Sequence, residues 1–375
     1  MAPEDPSARR PRLTPPIADV RRAVRAVLPT GGRVAPPEAT RIETSSPDRT
    51  EGLDTRASLA TRPPGLLVLV ALSGGADSLA LAAATAFEAP RAGLRAGAVI
   101  VDHGLQDASA AVAEAAADAA RALGLDPVLV RRVDVTGEGG PEASARAARY
   151  GALDAAADET GAVLVLLGHT LDDQAETVLL GLARGSGAAS LAGMPPRSGR
   201  YARPLLGIRR ATTRQACLDA GLEPWDDPHN ADPAYTRVRV RDRVLPVLEA
   251  ELGPGVAEAL ARTAEQLRED EQAFTSQIDE FIEELCEPAE AGIAVSAAAL
   301  AANPAALRQR IIRHVVASEF GVSLSRTQTL EVARLVTDWH GQGPIDLPGG
   351  IRATRAGSRI VFSTTGSTEV LPHDH

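Results

Sequence analysis

The sequence predicts an α/β protein: a doubly wound parallel sheet followed by a smaller, mostly helical C-terminal domain. Three observations carry this. Short apolar runs alternate with alanine-rich helical stretches between residues 66 and 182. Polar residues of chemical interest fall at the carboxyl ends of those runs: Asp77 after the first, Asp102 and His103 at the second, His169 at the fourth. Beyond residue 250 the apolar spacing becomes that of long amphipathic helices. Strands separated by helices pair in parallel through right-handed crossovers, with helices on both faces.

The elements follow in order. Residues 1–15 are rich in Pro and Arg and are expected to be disordered. "PIADVRRAVRAVL" (16–28) has apolar residues at helical spacing and predicts a short amphipathic helix. Residues 30–64, rich in Pro, Thr, Ser and charge, read as a flexible insertion, so 1–64 precede the core. Leu66–Leu72 is an apolar run behind Pro63, Pro64 and Gly65, as expected of a strand buried on both faces. Ser78–Ala86 is a helix former's sequence. Further strands are predicted at 96–105, 126–135 and 162–169, and helices up to 123, over 141–160 and over 171–182. A catalytic domain over 65–225 results, then a linker over 226–250 with an arginine-rich helix. An accessory domain over 251–375 contains the amphipathic stretch 256–286, two further helices and a small hairpin around Gly349-Gly350.

Composition excludes several chemistries. All 39 Lys+Arg residues are Arg. Without lysine there is no Walker A loop, no Schiff base, no pyridoxal-phosphate anchor and no covalent Lys–AMP intermediate. Two cysteines, Cys217 and Cys286, far apart, argue against a disulfide scaffold or a cysteine zinc cluster. No apolar run is long enough to span a membrane and no segment reads as a signal peptide, so a soluble cytoplasmic protein is expected. Hydrophobic content of 44% supports a core, and 3% aromatics require that core to be Ala, Val and Leu. The net charge of −10 means that any nucleic-acid role must rest on a local patch.

The connection Ser73-Gly74-Gly75-Ala76-Asp77-Ser78 joins the first strand to its helix. It reads either as a tight turn with Asp77 or Ser78 as a cap, or as a loop that brings an anion close to the main chain at a helix N-terminus. "GHTLDDQAET" (168–177) puts His169, Asp172, Asp173 and Glu176 within about two helical turns. Carboxylates at a helix start are stabilised by the dipole. Asp77 and Asp173, from two different strand ends, could instead share a Mg2+ that also binds substrate phosphates. Arg146 and Arg149 share a helix face, which is either solvated or a phosphate clamp. Arg197, Arg200, Arg203, Arg209, Arg210 and Arg214 crowd one stretch, and Arg237, Arg239, Arg241 and Arg243 alternate in another. Each reads either as part of a solvated charged surface or as a phosphate contact.

The strand–SGGADS–helix unit resembles the pyrophosphate-binding loop of N-type ATP pyrophosphatases. "VDHGLQ" (101–106), "EASARAARY" (142–150), "GHTLDDQAETVLLGLARGSGAASLAGM" (168–194), "RPLL" (203–206) and "WDDPHNADPAYTRVRVRDRVLPVLE" (225–249) resemble the tRNA(Ile)-lysidine synthases within that superfamily. The likeness spans roughly residues 66–250 and implies an ATP-dependent carbon–nitrogen ligase. Such an enzyme adenylates C2 of the cytidine at the first anticodon position of tRNA(Ile) with a CAU anticodon. The ε-amine of free L-lysine then displaces AMP. The resemblance assigns ATP to Ser73, Gly74, Gly75, Ala76, Asp77 and Ser78, with Asp102 and His103. It assigns Mg2+ to Asp77 and Asp173, catalysis to these two with Asp172, His169, Arg146 and Arg149, and tRNA contacts to Arg203, Arg237, Arg239 and Arg241. It also allows a homodimer. The departures are Thr170, where a second His is frequent, Gln106 for Arg, Val238 for Asn and His229 for Ser; none receives a role. The C-terminal region is short for the family. A tRNA thiolase would share the ATP chemistry but needs cysteines at sulfur-carrying spacing, and a non-catalytic nucleotide-binding module would not need Asp77 and Asp173 together.

Overall fold

The computed structural model describes residues 13–29, 65–104, 109–134, 141–227, 232–289 and 292–364. The expectations for 1–12 and 30–64, and the departures at Gln106 and His229, lie outside these residues. The chain divides into two units, 1–266 and 267–375.

In the first unit α1 (Pro15–Val27), β1 (Leu67–Ala71), α2 (Ala76–Glu88), β2 (Arg95–Asp102), α3 (Ser109–Ala122), β3 (Val128–Arg132), α4 (Pro141–Thr160), β4 (Leu164–Leu166) and α5 (Leu171–Ala183) follow the predicted alternation. β1 is central. It pairs in parallel with β2 (Leu67 opposite Arg95) and with β4 (Val68 opposite Leu164). Successive strand residues point to opposite faces, which explains the continuous apolar runs. Val68 and Val70 pack with Ile100, Leu164 and Leu166 under α1, α2, α3 and α7 (Arg210–Asp219). Leu67 and Leu69 pack with Val99 and Val165 against Leu153, Ala156 and Ala157 of α4. Fully burying each Leu or Val contributes about 1.5–3 kcal/mol. α1 turns Ile17, Val20 and Val24 inward at the predicted spacing. Its Arg25 forms a bidentate pair with buried Glu88 of α2 at 2.8 and 2.9 Å.

The sheet is wider than the sequence suggested. After α6 (Ala188–Leu191), β5 (Arg197–Ser198) and β6 (Tyr201–Ala202) complete the order β3-β2-β1-β4-β6-β5. β6 is parallel to β4, and β5 is an antiparallel edge. Two-residue strands are too short to show a period of two. α8 (Thr236–Arg239) runs through a π-helical turn, Val240–Val244, into α9 (Leu245–Leu252), and α10 (Val256–Leu285) follows.

The second unit differs more. The hairpin predicted around Gly349-Gly350 exists as β9 (Ile345–Leu347) and β10 (Ile351–Ala356), but a second hairpin joins β10 to β11 (Arg359–Thr364), and both belong to a five-stranded antiparallel sheet. With β7 (Cys286–Ala289) and β8 (Gly292–Ser296) the order is β7-β8-β11-β10-β9. α11 (Ala297–Ala302), α12 (Ala305–Phe320) and α13 (Arg326–Thr337) share its core through Leu300, Ile311, Val315 and Leu335 with Ile351 and Phe362. Among the described residues no helix is long and apolar enough to cross a membrane.

Candidate active site

β2 and β3 lie on one side of β1 and β4 on the other, so the strand order reverses between β1 and β4. Ligands of such sheets bind at the carboxyl ends beside the reversal. A cleft of about 680 Å³ lies there, lined by Ser73, Asp77, His103, Arg149, His169 and Asp173 among others.

The β1–α2 loop forms its floor. Gly74 has φ +84°, which strains any residue with a Cβ. Gly75 is the N-cap of α2 and supplies no side-chain cap, so the first N–H groups of the helix face the cleft without an internal acceptor. Neither Asp77 nor Ser78 is the cap; both lie inside the first turn. The Ser78 hydroxyl donates to Gly75 O (3.0 Å), accepts from Ser73 N (3.2 Å) and lies 3.1 Å from Ser73 Oγ. Trp225 N donates to Gly74 O at 3.0 Å and ties a second segment to the loop. A Cβ on Gly168 would stand 3.3 Å from the backbone of Asp77 and Ser78, so the β4–α5 loop packs directly on this floor.

α5 begins at Thr170 with a capping box. Asp173 Oδ2 accepts from Thr170 N (2.7 Å) and Thr170 Oγ1 (2.8 Å). Its Oδ1 is left to accept from Arg210 Nη2 at 2.7 Å. The cap and the charged site are therefore both present, one oxygen each. The same Arg210 Nη2 reaches Glu176 at 3.2 Å, and Arg210 Nε lies 3.6 Å from Asp77 Oδ2. Asp77 Oδ1 accepts from the buried Thr213 hydroxyl. Burial pushes the Asp77 carboxyl above its usual range despite Thr213 and Arg210. Burial also opposes charge on Asp173, but Arg210 and the two Thr170 hydrogen bonds outweigh it and hold it below that range.

Opposite lies a group of cations. Arg149 has its Nε buried without a partner and forms no ion pair among the described residues. Burial and the guanidinia of Arg146, Arg237 and Arg203 press its pKa down. Arg146 stands over the Tyr150 ring, 4.9 Å from its centroid, and donates to Tyr150 Oη at 3.4 Å. Such a group offers a ready place for an anion. Asp102 lines the cleft at the end of β2. Burial works against its charge, yet the Gly104 N–H (2.9 Å), Ser109 and Arg132 hold it low, and it shapes the strand end. His103 lines the cleft with its Nδ1 unpartnered.

His169 also has an unpartnered buried Nδ1. Burial, with Arg149, Arg203 and Arg146, pushes its pKa from 6.5 down to about 4 against the pull of Asp173. An unfolded imidazole titrates near 6.5, so the unfolded chain binds more protons between those values. This group's contribution to stability is complete above pH 6.5 and is lost as pH falls towards 4. A nitrogen-detected NMR titration should find His169 neutral from pH 8 to 5. A midpoint near 6.5 would show that its surroundings do not act as described.

The structure redistributes several expected site residues. Asp172 turns from the cleft to α7, accepting from Arg210 N at 2.7 Å and pairing with Arg209 at 3.2 Å. Arg203 is buried, held by Pro195 O and Tyr150 Oη, and is no part of an exposed face. Arg200 pairs with Asp158, Arg209 also with Glu258, and Arg214 with Asp226, so the first arginine stretch is largely satisfied locally. Of the alternating set, Arg237 and Arg241 line the cleft, four residues apart on one helical face. Arg239 points away and donates to Pro233 O and Ala234 O, both at 2.7 Å.

The comparisons fit this geometry. The family model "PP-loop domain" matches residues 56–248, and "TilS substrate binding domain" matches 296–359. The tRNA(Ile)-lysidine synthase of Leifsonia xyli subsp. xyli is 68% identical over 300 residues, covering 80% of this chain and 90% of that protein. The chain belongs to the tRNA(Ile)-lysidine synthase family. The Thermobifida fusca synthase is 53% identical over 310 residues (82% and 95% covered), and that of Salinispora tropica 48% over 363 (95% and 98%). Among solved structures, the U34-tRNA thiolase NcsA from Methanococcus maripaludis with its [4Fe-4S] cluster aligns with a TM-score of 0.50 at 20% identity. It covers 68% of this chain and 80% of that one, a likeness of fold alone.

Within this member of the family Cys217 is unsuited to carry sulfur. It is fully buried, donates to Ala76 O at 3.1 Å, and burial pushes its thiol up to about 12. Two contributors went unassigned at the level of sequence. Glu176 is completely buried, and its Oε1 accepts from Arg241 Nε at 2.8 Å. Arg210 sat in a stretch read as solvated or phosphate-contacting but lies between the carboxylates. The spacing of Glu176 from Asp172 and Asp173 was visible on the helix; the arrival of α7 and α8 was not.

Proposed function

We propose that this chain ligates L-lysine to C2 of the cytidine at the first anticodon position of tRNA(Ile) with a CAU anticodon. The cytidine O2 attacks the α-phosphorus of ATP and pyrophosphate leaves. The lysine ε-amine then attacks C2 and AMP leaves with the oxygen. The observation that carries this reading is the pairing of an uncapped α2 N-terminus with Arg149, which forms no ion pair among the described residues, across one cleft, in a chain 68% identical to a lysidine synthase.

The Ser73–Ser78 loop and the α2 N–H groups would hold the pyrophosphate. Arg149, with Arg146 at the mouth, would clamp the phosphates. Asp77 and Asp173 suit Mg2+, a hard ion that takes one or two carboxylates together with substrate phosphates. When bound, Mg2+ supplies charge neutralisation on the leaving group. His169, neutral at working pH, would accept a hydrogen bond from the incoming amine. Arg237 and Arg241 would meet the anticodon phosphates at the cleft.

The test is incorporation of radiolabelled lysine into an unmodified CAU-anticodon tRNA(Ile) transcript with ATP and Mg2+, beside a transcript of another anticodon. Label in the first alone, with AMP released, is expected. ATP cleavage with some other acceptor and no label would sink the lysidine assignment while leaving the ATP chemistry.

A further inference from the structure

The carboxylates that read as a cation site are already neutralised by the protein. Asp77, Asp172, Asp173 and Glu176 face Arg209, Arg210, Arg237 and Arg241. Arg210 is the hub, reaching Asp173 (2.7 Å), Glu176 (3.2 Å) and Asp77 (3.6 Å) with one guanidinium. Its position is built in. Asp172 accepts from its backbone N–H, and the Thr213 hydroxyl, one turn on, lies within hydrogen-bond reach of both Asp77 and Arg210 O, with one proton between them. Among the described residues, no group of three or more His, Cys, Asp or Glu is gathered so as to hold a metal ion. The acids are arranged around a guanidinium instead.

We propose that Arg210 is a resident counter-cation that closes Asp77 and Asp173 to a free divalent ion, so that the ion enters only with a polyphosphate. This rests on the ATP and Mg2+ reading above. A divalent ion alone would have to compete with a guanidinium in hydrogen-bond contact with Asp173 and close to Asp77. A polyphosphate brings the compensating negative charge and is itself a bidentate acceptor for arginine. Arg210 lines the same cleft as Ser73 and Arg149 and is about a quarter exposed, so its side chain can turn to a phosphate without unfolding α7. The consequence is an order of binding: nucleotide and metal arrive together, and metal alone does not occupy the site.

The experiment is Mn2+ binding to the full chain, read by electron paramagnetic resonance, with and without α,β-methylene-ATP, which cannot be cleaved at the α–β bond. The Mn2+–analogue complex formed in solution is subtracted. In the parent, the analogue is expected to tighten Mn2+ binding at least about tenfold. Arg210→Gln, without analogue, is expected to bind Mn2+ at least about tenfold tighter than the parent, because one full charge has left a partly buried site. Arg210→Lys should stay like the parent. Equal Mn2+ affinity in parent and Arg210→Gln, both without analogue, would overturn the proposal. So would free Mn2+ binding the parent as tightly as it does with analogue, a comparison that needs no variant and survives misfolding of Arg210→Gln. No bound Mn2+ under any condition would instead remove the metal reading itself.

Discussion

Asp173→Asn is expected to lower AMP formation by about a thousandfold or more while the protein stays folded. The substitution isolates charge from capping. Asn retains an oxygen to accept from Thr170 N, so the capping box that starts α5 loses little. What disappears is the Oδ1 charge that faces Arg210 and the cleft. Asp173→Ala removes both and should also cost about 1 kcal/mol of cap. Asp77→Asn is expected to match Asp173→Asn in activity, and the double variant to be no worse than either single one. Groups that serve one ion act as a unit, so their losses do not add. The assay is AMP release with substrate tRNA, beside circular dichroism to verify the fold. An Asp173→Asn enzyme with a tenth of parental activity would end the shared-metal reading, and additive losses would assign the two carboxylates to separate tasks.

The second large effect is on stability. Glu176 is completely shielded from solvent and is met by Arg210, Arg241 and Arg237. Glu176→Ala leaves three guanidinia without their common anion. Removing one partner of a buried pair costs about 3–5 kcal/mol. The arginines are 25–38% exposed, so water screens part of this, and a loss of about 2–4 kcal/mol is expected. For a unit of this size that is a fall of about 5–15 °C in Tm. Glu176→Gln keeps the acceptor oxygen and should lose less. Salt should change the difference little, because the anion is not exposed. A Glu176→Ala melting curve superimposed on the parent would mean that the arginines find equivalent partners elsewhere.

Much of the fold was legible because its signals are local. The apolar runs of β1 and β2, the Ser-Gly-Gly connection and the apolar stripe of α1 each depend on residues within a few positions of one another. Asp173 shows how far such reading goes. Its place at a helix start allowed either dipole stabilisation or a ligand role, and in the structure it closes the capping box with Oδ2 while Oδ1 faces Arg210. β5 and β6 were missed because two residues carry no periodicity. The C-terminal sheet was under-read because β8 joins the later strands only through long-range pairing with β11, Ser296 opposite Arg359.

The arginines mark the limit. Arginines look alike in sequence, and Arg203, Arg209, Arg210 and Arg214 stand close together along the chain. In space they part: Arg203 is buried beside Tyr150, Arg209 and Arg210 serve the acidic centre, and Arg214 pairs with Asp226. The sequence by itself determined the alternation of strands and helices from β1 to α5, the Ser-Gly-Gly loop and the two carboxylates at neighbouring strand ends, because backbone preference and hydrophobic period act between near neighbours. Only the tertiary structure decided which cation meets which acid. That choice depends on through-space distance between residues as far apart in the chain as Asp77 and Thr213 or Asp173 and Arg210, and local periodicity carries no record of it.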